Sequence, residues 1–287
     1  MKYQVSIKSF ALSLFVSFTL VLTTNAFSKE KEIYVIAVGT NGSDFENNSG
    51  ISASGDGITG NAIIYINGNP IMGYSAGGTL KQINQYIRNG KNSLQIKGAS
   101  DKSLFVKIGI MQGREFKKVV TKKEFKPNDI SKSAILPFPV NIDYVLPIFD
   151  KKNNIPKNVA AKSFYPLFQQ LKKNLDNAKY DKVAEMFLSQ RENWSIKAYG
   201  QDQKQFEAIK KQAIEFYRQS KLTYMPPEVN KIKILKGESI LLVYSGVNED
   251  SYFKSKTLGE FVMNGSKRTP APAMRLAFIE GKWCIWE

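Results

Sequence analysis

Three residues in the last third of the chain, Glu260, Tyr244 and Arg275, could support acid–base chemistry. Glu260 interrupts an otherwise apolar stretch at 258–263, and Tyr244 and Arg275 fall in neighbouring predicted strands. A carboxylate in an apolar pocket can remove a proton beside a carbonyl group, and a tyrosine hydroxyl can stabilise the oxyanion that forms. Glu260 would then be the base and Tyr244 the oxyanion donor. The alternative, which we expect, is that Glu260 lies on a solvent face and pairs with Arg275, so no catalytic residue is assigned.

Composition excludes most other enzyme designs. The chain has no histidine, and its single cysteine is Cys284. Without histidine there is no Ser-His-Asp or Cys-His nucleophile, no histidine-ligated zinc site and no histidine switch near neutral pH. One cysteine cannot form an internal disulfide bond, and the neighbours Trp283 and Ile285 favour a buried, unreactive thiol. The stability of the fold must therefore come from its apolar core.

Two further patterns suggest ligands, but their context does not favour either one. Residues 55–60 (Gly-Asp-Gly-Ile-Thr-Gly) match the letters of a dinucleotide fingerprint, which requires a strand before it and a helix after it. Here a polar loop precedes the motif and a predicted strand follows it. The loop at 39–60 also contains oxygen ligands of the kind that calcium accepts, without a regular spacing: Asp44, Glu46, Asn47, Asn48 and Asp56. We expect neither a cofactor nor a metal.

The first 26 residues have the pattern of a secretory signal peptide. Lys2 and Lys8 form a basic start, an apolar run covers 10–22, and residues 24–26 (Thr-Asn-Ala) end in a small residue suited to cleavage. The apolar run is shorter than the ~20 residues that a membrane-spanning helix needs. We therefore expect cleavage after Ala26 and a periplasmic or secreted mature protein.

The chain is strongly basic. Its formal net charge is +16, and loss of the two lysines in the first 26 residues leaves +14. Such a charge attracts anionic partners, which for an exported protein are acidic proteins or anionic envelope components rather than nucleic acid. The alternative is a generally solvated basic surface, because the lysines occur in separate pairs: Lys117-Lys118, Lys122-Lys123, Lys151-Lys152, Lys172-Lys173 and Lys210-Lys211.

Residues 27–149 are predicted to form an all-β domain. Apolar or alternating stretches separated by turn signals suggest strands at 32–38, 61–66, 71–74, 80–89, 90–97 and 104–110. The Asn67-Gly68 step is a strong hairpin signal, and the overall spacing predicts an antiparallel β-sandwich. The segments 65–71 (Tyr-Ile-Asn-Gly-Asn-Pro-Ile) and 87–96 (Ile-Arg-Asn-Gly-Lys-Asn-Ser-Leu-Gln-Ile) resemble turns of immunoglobulin-like and jelly-roll sandwiches. That resemblance implies an architecture and no particular activity.

The polar segment 150–157 predicts a linker, and the pattern beyond it becomes helical. Three helices are predicted: one that carries Pro166 in its first turn, a short one at 181–188 and one at 203–222. The first of them places four apolar residues on one face: Leu167, Phe168, Leu171 and Leu175. Strands follow at 229–235, 239–247, 257–263, 274–279 and 283–286. This order predicts an α+β roll, in which helices pack on a curved antiparallel sheet.

Residues 158–287 resemble the nuclear transport factor 2-like (cystatin-like) superfamily, on the basis of the predicted helix pair at 175–187 and the closing strand at 281–286. The resemblance implies a conical pocket, which some members use for catalysis and many for binding or dimerisation. In the predicted strand 239–247, apolar residues occupy both alternation phases, so both sheet faces must be covered. The second cover would be a ligand, a second subunit or the β-sandwich domain. Trp283 and Trp286 fall on opposite phases of the last strand.

These features predict a non-catalytic binding or assembly module of the bacterial cell envelope, with a basic surface for an acidic protein or an anionic envelope component. A homodimer through the C-terminal sheet and a small ligand in the C-terminal pocket are further expectations. The alternative function is a small-molecule-binding protein or a histidine-independent pocket enzyme in residues 158–287.

We expect the exported chain to begin at Phe27, because the small residue Ala26 lies directly after the apolar run. Intact-mass measurement and N-terminal sequencing of the protein from the extracytoplasmic fraction check this. A Leu14→Arg variant, which interrupts the apolar run, should retain its first 26 residues and stay inside the cell. Full-length chain in the extracytoplasmic fraction would contradict the expectation.

Overall fold

The structure is a computed structural model that describes residues 31–40, 42, 57–76, 79–113, 115–245, 260–263, 266–267 and 274–287. The predicted signal peptide and most of the loop at 39–60 lie outside these ranges. The described chain is a mixed α/β protein with several antiparallel sheets and four α-helices. Within these ranges, no helix combines the length and apolar character needed to cross a bilayer.

Eight strands form two four-stranded antiparallel sheets in the first half of the chain: β1 Ile33–Gly39, β2 Gly57–Ile66, β3 Asn69–Ala76, β4 Thr79–Gln82, β5 Gly90–Gly98, β6 Leu104–Gln112, β7 Glu115–Phe125 and β8 Ile135–Val140. The strand orders are β4-β1-β6-β7 and β3-β2-β5-β8. One apolar cluster includes buried residues from both sheets, among them Ile36 and Ile108 of the first and Ile64 and Ile96 of the second. A shared core therefore joins the two sheets.

Four elements of this half differ from the sequence prediction. The segment predicted as a strand at 80–89 is instead the short strand β4 and a 3₁₀ helix at Asn84–Tyr86. The strand ends at this 3₁₀ helix, where the Asn84 side chain is bonded to the backbone at 32–34. It accepts from the Tyr34 N–H (2.7 Å) and donates to the Glu32 carbonyl (2.8 Å). Strands β7 and β8 and the short helix α1, Pro127–Ser131, were not predicted.

The second half contains three longer helices and seven strands: α2 Ala161–Asp176, α3 Tyr180–Tyr199, α4 Gln203–Ser220, β9 Thr223–Met225, β10 Ile232–Lys236, β11 Ile240–Ser245, β12 Glu260–Met263, β13 Ser266–Lys267, β14 Met274–Ile279 and β15 Lys282–Ile285. The strands form a four-stranded sheet, β10-β11-β14-β15, and a separate three-stranded sheet, β13-β12-β9. All described pairings are antiparallel.

Helix α3 is much longer than the predicted segment 181–188, with 20 residues that end at Gly200 in the left-handed conformation. The prediction was wrong because α3 buries different faces along its length. Val183 and Leu188 pack in the core of the second half, whereas Trp194 and Tyr199 pack against the first half. Apolar residues therefore do not form one stripe. Pro166 lies at the sixth position of α2, beyond its first turn, on an exposed part of the helix.

The sheet β10-β11-β14-β15 is covered on both faces, as the sequence predicted. Leu241 and Leu276 pack with the helices of the second half. Ile240, Ala277 and Trp286 belong to the cluster that includes the strands of the first half. The second cover of this sheet is thus supplied within the chain, and Trp283 and Trp286 pack in different clusters.

Three buried asparagines, Asn69, Asn84 and Asn153, connect the two halves of the chain, and we call them the asparagine seam. The Asn69 side-chain oxygen accepts from the Ser239 and Ile240 N–H groups, at 2.8 and 3.0 Å. The Asn84 side chain donates to the Ala198 carbonyl at 2.9 Å. These amides satisfy backbone groups that burial separates from water.

Asn153 lies in the segment predicted as a linker, and this segment is packed. The Asn153 side chain accepts from the Glu280 N–H (3.0 Å) and donates to the Pro147 carbonyl (2.9 Å). Nearby, Ile155 is buried and its N–H donates to the Glu238 carbonyl at 3.0 Å. The segment therefore contributes contacts to the core of the second half.

We expect Asn69→Ala to lower the free energy of unfolding by about 2–3 kcal/mol, because it leaves two buried backbone N–H groups without an acceptor. Urea denaturation of the protein followed by tryptophan fluorescence measures this. The matched control Asn230→Ala changes an exposed asparagine and should shift the free energy by less than about 0.5 kcal/mol. Equal effects of the two substitutions would contradict the importance of Asn69.

Candidate functional site

The structure places two of the three predicted site residues on adjacent strands. Tyr244 and Arg275 lie on the adjacent strands β11 and β14, where Leu242 is paired with Arg275. Glu260 lies on β12, in the separate three-stranded sheet, where it pairs with Met225 of β9. Glu260 is therefore not on a strand next to Tyr244 or Arg275. The carboxylate that contacts Arg275 is that of Glu287, which the sequence analysis did not single out.

Arg275 extends from the second half to the first. Its Nε donates to the Pro70 carbonyl at 3.4 Å, and its Nη2 donates to the Ile71 carbonyl. Its Nη1 lies 3.2 Å from Glu287 Oε2. Only 13% of the Arg275 side chain is exposed, so its charge is largely removed from water. Arg275 thus bonds strand β3 and a carboxylate of its own half.

The Glu287 carboxylate contacts two cations and one hydroxyl. We call these four residues the Glu287 cluster: Lys81, Tyr86, Arg275 and Glu287. Lys81 Nζ donates to Glu287 Oε1 at 2.7 Å, and the Tyr86 hydroxyl donates to Oε2. Lys81 and Tyr86 belong to the first half of the chain and Arg275 to the second. The carboxylate therefore joins the two halves electrostatically.

The environment shifts the pKa values of the cluster. Burial raises the pKa of Glu287, but the Lys81 and Arg275 cations lower it more strongly, so that the pKa falls to about 2. Burial lowers the pKa of Lys81, and the Glu287 carboxylate opposes that change. Burial and the same carboxylate raise the pKa of Tyr86 well above its ordinary value.

These shifts indicate a structural cluster rather than an acid–base catalyst. A carboxylate with a pKa of about 2 is a weak base at neutral pH, and a general base works best with a pKa near the working pH. The raised pKa keeps Tyr86 protonated, as a hydrogen-bond donor. At neutral pH the cluster accordingly remains a set of ion pairs and hydrogen bonds between the two halves.

A groove with a volume of about 760 Å³ lies between α2, α3 and β15. Its lining includes Leu167, Gln170 and Asn174 of α2, Glu185, Met186 and Ser189 of α3, and residues 283–285 of β15. Asn174 is buried, and its side-chain nitrogen lies 3.4 Å from the Met186 sulfur. Apolar side chains line part of the groove and polar groups line the rest, which is the usual composition of a binding cleft.

Cys284 lines this groove without being a reactive group. Burial raises the pKa of its thiol to about 12, and the thiol donates to the Ala277 carbonyl at 3.4 Å. Because the thiolate is the reactive form, this thiol is unreactive at neutral pH.

Strand β7 carries two of the lysine pairs noted in the sequence, and it is the edge strand of its sheet. We define the basic edge as the lysines of β7 and those at and after the start of α1: Lys117, Lys118, Lys122, Lys123, Lys126 and Lys132. All of them are exposed except Lys123, which is half-buried, with its ammonium 4.9 Å from the Phe125 ring centroid. The acidic residues over the same segment, 115–132, are Glu115, Glu124 and Asp129. Lysine therefore exceeds acid two to one along this edge.

The residues that the structure describes do not form a metal site or a nucleotide-binding motif. Among the residues placed there, no three Asp, Glu or Cys side chains group as metal ligands would. The part of the glycine motif that is described, 57–60, belongs to strand β2 instead of opening a helix. The acidic residues of the loop considered for calcium lie outside the described residues.

Lys81, Tyr86 and Glu287 could not have been selected from the sequence, because more than 200 positions separate Glu287 from its two partners in the first half. Asn69 did carry a signal, since it follows the Asn67-Gly68 hairpin step, but that signal predicted only a turn. No family model, curated protein or solved structure matches the chain.

We expect Glu287→Gln to lower the free energy of unfolding by about 2 kcal/mol at pH 7, because the variant leaves Lys81 and Arg275 without their carboxylate. Glu287 has a lowered pKa, so its contribution is present above its ordinary value of 4.5 and is lost as the pH falls toward 2. The difference between wild type and variant should therefore be largest above pH 5 and shrink below pH 4.

Urea denaturation at a series of pH values measures both trends. The matched control Glu228→Gln removes the ion pair with Lys231, in which both side chains are about two-thirds exposed. Such a pair contributes little, so the control should match wild type at each pH. A difference for Glu287→Gln that is unchanged from pH 7 to pH 3 would show that the charge is not responsible.

Proposed function

We propose that the protein is an exported, non-catalytic binding or assembly module of the bacterial cell envelope, and that its basic edge contacts an acidic or anionic partner. The signal-peptide pattern at 1–26 supports export. The net charge of +14 that remains after loss of Lys2 and Lys8 supports an anionic partner, and the basic edge concentrates part of that charge on one strand and the helix after it.

In this proposal the first half is a β-sandwich and residues 158–287 form a roll of the nuclear transport factor 2-like type. Support for the sandwich comes from the two four-stranded sheets that bury residues in one cluster. Support for the roll comes from α2 and α3, whose buried residues pack with those of β11 and β14. The face of that sheet that includes Ile240 and Ala277 is covered by the first half, which leaves less room for a ligand there.

The basic edge is the observation that carries the proposal. Four lysines within seven residues, 117–123, lie on a strand whose backbone pairs with β6 on one side. Edge strands often carry lysine simply to prevent pairing with other chains, and the two irregularities in the β6–β7 pairing serve the same end. The two interpretations make different demands on the lysines. Protection of the edge strand against pairing needs only a few charges, whereas a partner site depends on the positions of those charges.

A pocket enzyme is less well supported. Glu260 lies in a different sheet from Tyr244 and Arg275, and Arg275 is engaged by Glu287 and by two backbone carbonyls. A base and an oxyanion donor must both reach the reacting atoms, and these contacts do not form such a site.

We expect the triple variant Lys117→Glu, Lys118→Glu, Lys122→Glu to bind native envelope fragments at least 10-fold more weakly than wild type. Cosedimentation of the exported protein with these fragments at low salt measures the affinity. Wild-type binding should also weaken at 500 mM salt, because attraction between exposed charges is screened beyond about 8 Å even at physiological ionic strength.

The matched control is Lys162→Glu, Lys173→Glu, Lys204→Glu, which makes the same change in net charge at exposed lysines on α2 and α4. It should lose less than 3-fold. Equal losses for the two triple variants would show that total charge, and not the basic edge, drives association. Binding that is unchanged in high salt would refute a charge-dependent contact.

A further inference from the structure

The groove between α2, α3 and β15 is lined by one face of each helix. On α2, Leu167, Gln170 and Asn174 recur at intervals of three and four residues, so they lie along the same side of the helix. Met186 and Ser189 of α3 are three residues apart and line the groove from the other helix. The volume of about 760 Å³ is within the ~300–1,000 Å³ of clefts that hold small ligands.

The charged residues of the lining balance one another. Two lysines and two acids belong to it: Lys179, Lys182, Asp181 and Glu185. Lys182 Nζ lies 2.9 Å from Glu185 Oε2, so one pair is in direct contact. A lining with one sign of charge attracts ions of the opposite sign, and this lining has no such excess. The groove therefore favours an uncharged ligand, unlike the basic edge.

An oriented side-chain amide supplies hydrogen-bonding groups to the groove. Gln170 Nε2 donates to Asn174 Oδ1 at 2.8 Å, and Asn174 is only 4% exposed. Gln170 itself is exposed. An amide has two N–H donors and an oxygen with two lone pairs, so this bond uses only part of the capacity of Gln170. Asn174 thus fixes an amide that can both donate to a ligand and accept from it.

Trp283 supplies an aromatic ring to the lining, and it is only partly buried. The rings of Phe164 and Phe278 contact it, with centroid distances of 5.7 and 5.0 Å and interplanar angles of 74° and 57°. Neither phenylalanine ring is therefore stacked parallel on the indole, and together they hold it in place. A fixed indole offers apolar contact area at little cost in conformational entropy.

We propose that this groove binds an uncharged saccharide of one or two rings, which packs on Trp283 and bonds Gln170 and Ser189 through its hydroxyls. The C–H groups of a sugar ring form an apolar face, and each of its hydroxyls is both donor and acceptor. A fixed indole, an oriented amide and a lining without net charge match these properties. An entirely apolar ligand would cover Gln170 and Ser189 without bonding them, which is unfavourable.

This inference goes beyond the proposed function and does not depend on the basic edge, because none of the six lysines that define that edge lines the groove.

The test is saturation-transfer NMR of the protein with maltose, cellobiose, lactose and N,N′-diacetylchitobiose, followed by calorimetric titration with the strongest binder. Gln170→Leu removes the amide at similar size and should weaken binding about 10-fold, because sugar hydroxyls lose their partner. The matched control Gln169→Leu changes the neighbouring exposed residue of α2, which does not line the groove. It should leave the affinity within about 2-fold of wild type.

A second pair of variants tests the location of the site. Ser189→Trp fills the groove from an exposed position on α3 and should abolish binding. Ser163→Trp makes the same change at an exposed serine of α2 outside the groove and should be tolerated. Because both serines are exposed, the circular dichroism spectra of the two variants should match that of wild type.

Three results would overturn the proposal: no saturation transfer to any of the four sugars, equal weakening by Gln170→Leu and Gln169→Leu, or binding that survives Ser189→Trp. If no sugar binds, binding of the uncharged dye Nile red that Ser189→Trp abolishes would identify an apolar ligand instead.

The triple variant Lys117→Glu, Lys118→Glu, Lys122→Glu should bind the sugar like wild type. Wild-type binding should also be unchanged in high salt, since the ligand carries no charge. Loss of sugar binding in either experiment would contradict an uncharged ligand in the groove. These measurements separate the groove from the proposed function, since either can fail while the other holds.

Discussion

The contact between the two halves of the chain is the constraint on which the rest of the structure depends. Neither half covers the sheet β10-β11-β14-β15 alone, because one face packs on helices and the other on strands of the first half. Burial of Ile240, Ala277 and Trp286 in this contact also separates backbone groups from water. The asparagine seam supplies hydrogen-bond partners for those groups, since unpaired buried amides are strongly destabilising.

The charged residues at this contact differ in their surroundings from those of the basic edge. The Glu287 cluster places a carboxylate between Lys81 of one half and Arg275 of the other, so that the ion pairs can form only when the halves are in register. The Lys81 and Glu287 side chains are only 20% and 30% exposed, so removal of one partner leaves the other charge poorly hydrated. Four lysines of the basic edge lie instead on β7, at the margin of the sheet β4-β1-β6-β7, and three of these four are exposed. The two sets of charges therefore serve different ends.

The elements predicted best from the sequence are those whose apolar pattern follows directly from burial. Strand β5 buries alternate residues on one face, whereas β6 is buried over most of its length, and the positions of both were predicted closely. Helix α4 was also predicted, because one face is buried and Asp202 caps its first turn by accepting from the Gln205 N–H. Strand β7 was missed because its lysine pairs and pairing irregularities hide the alternation. Strand β8 contains Pro137 and Pro139, which occur in strands mainly at sheet edges, and it too was missed.

The candidate sites were harder to predict for a different reason. A contact between residues hundreds of positions apart leaves no local pattern, so Arg275 was noticed while Glu287 and Lys81 were not. The groove beside β15 depends on which strand ends the sheet, and sequence periodicity does not specify strand order. What periodicity did specify is that both faces of β11 are apolar, and this correctly required a second cover.

The bonds between the halves also set the order in which the chain can fold. The Asn84–Ala198 and Lys81–Glu287 contacts close loops of 114 and 206 residues, and loop closure of this length slows the approach to the native state. The first-half cluster stays incomplete until Trp286 has joined it. A chain with this topology remains unfolded for longer after synthesis than one built from local contacts. Under the export that we propose, the chain would cross the membrane as an extended polypeptide, and the long-range seam would keep it competent for transport until both halves can meet.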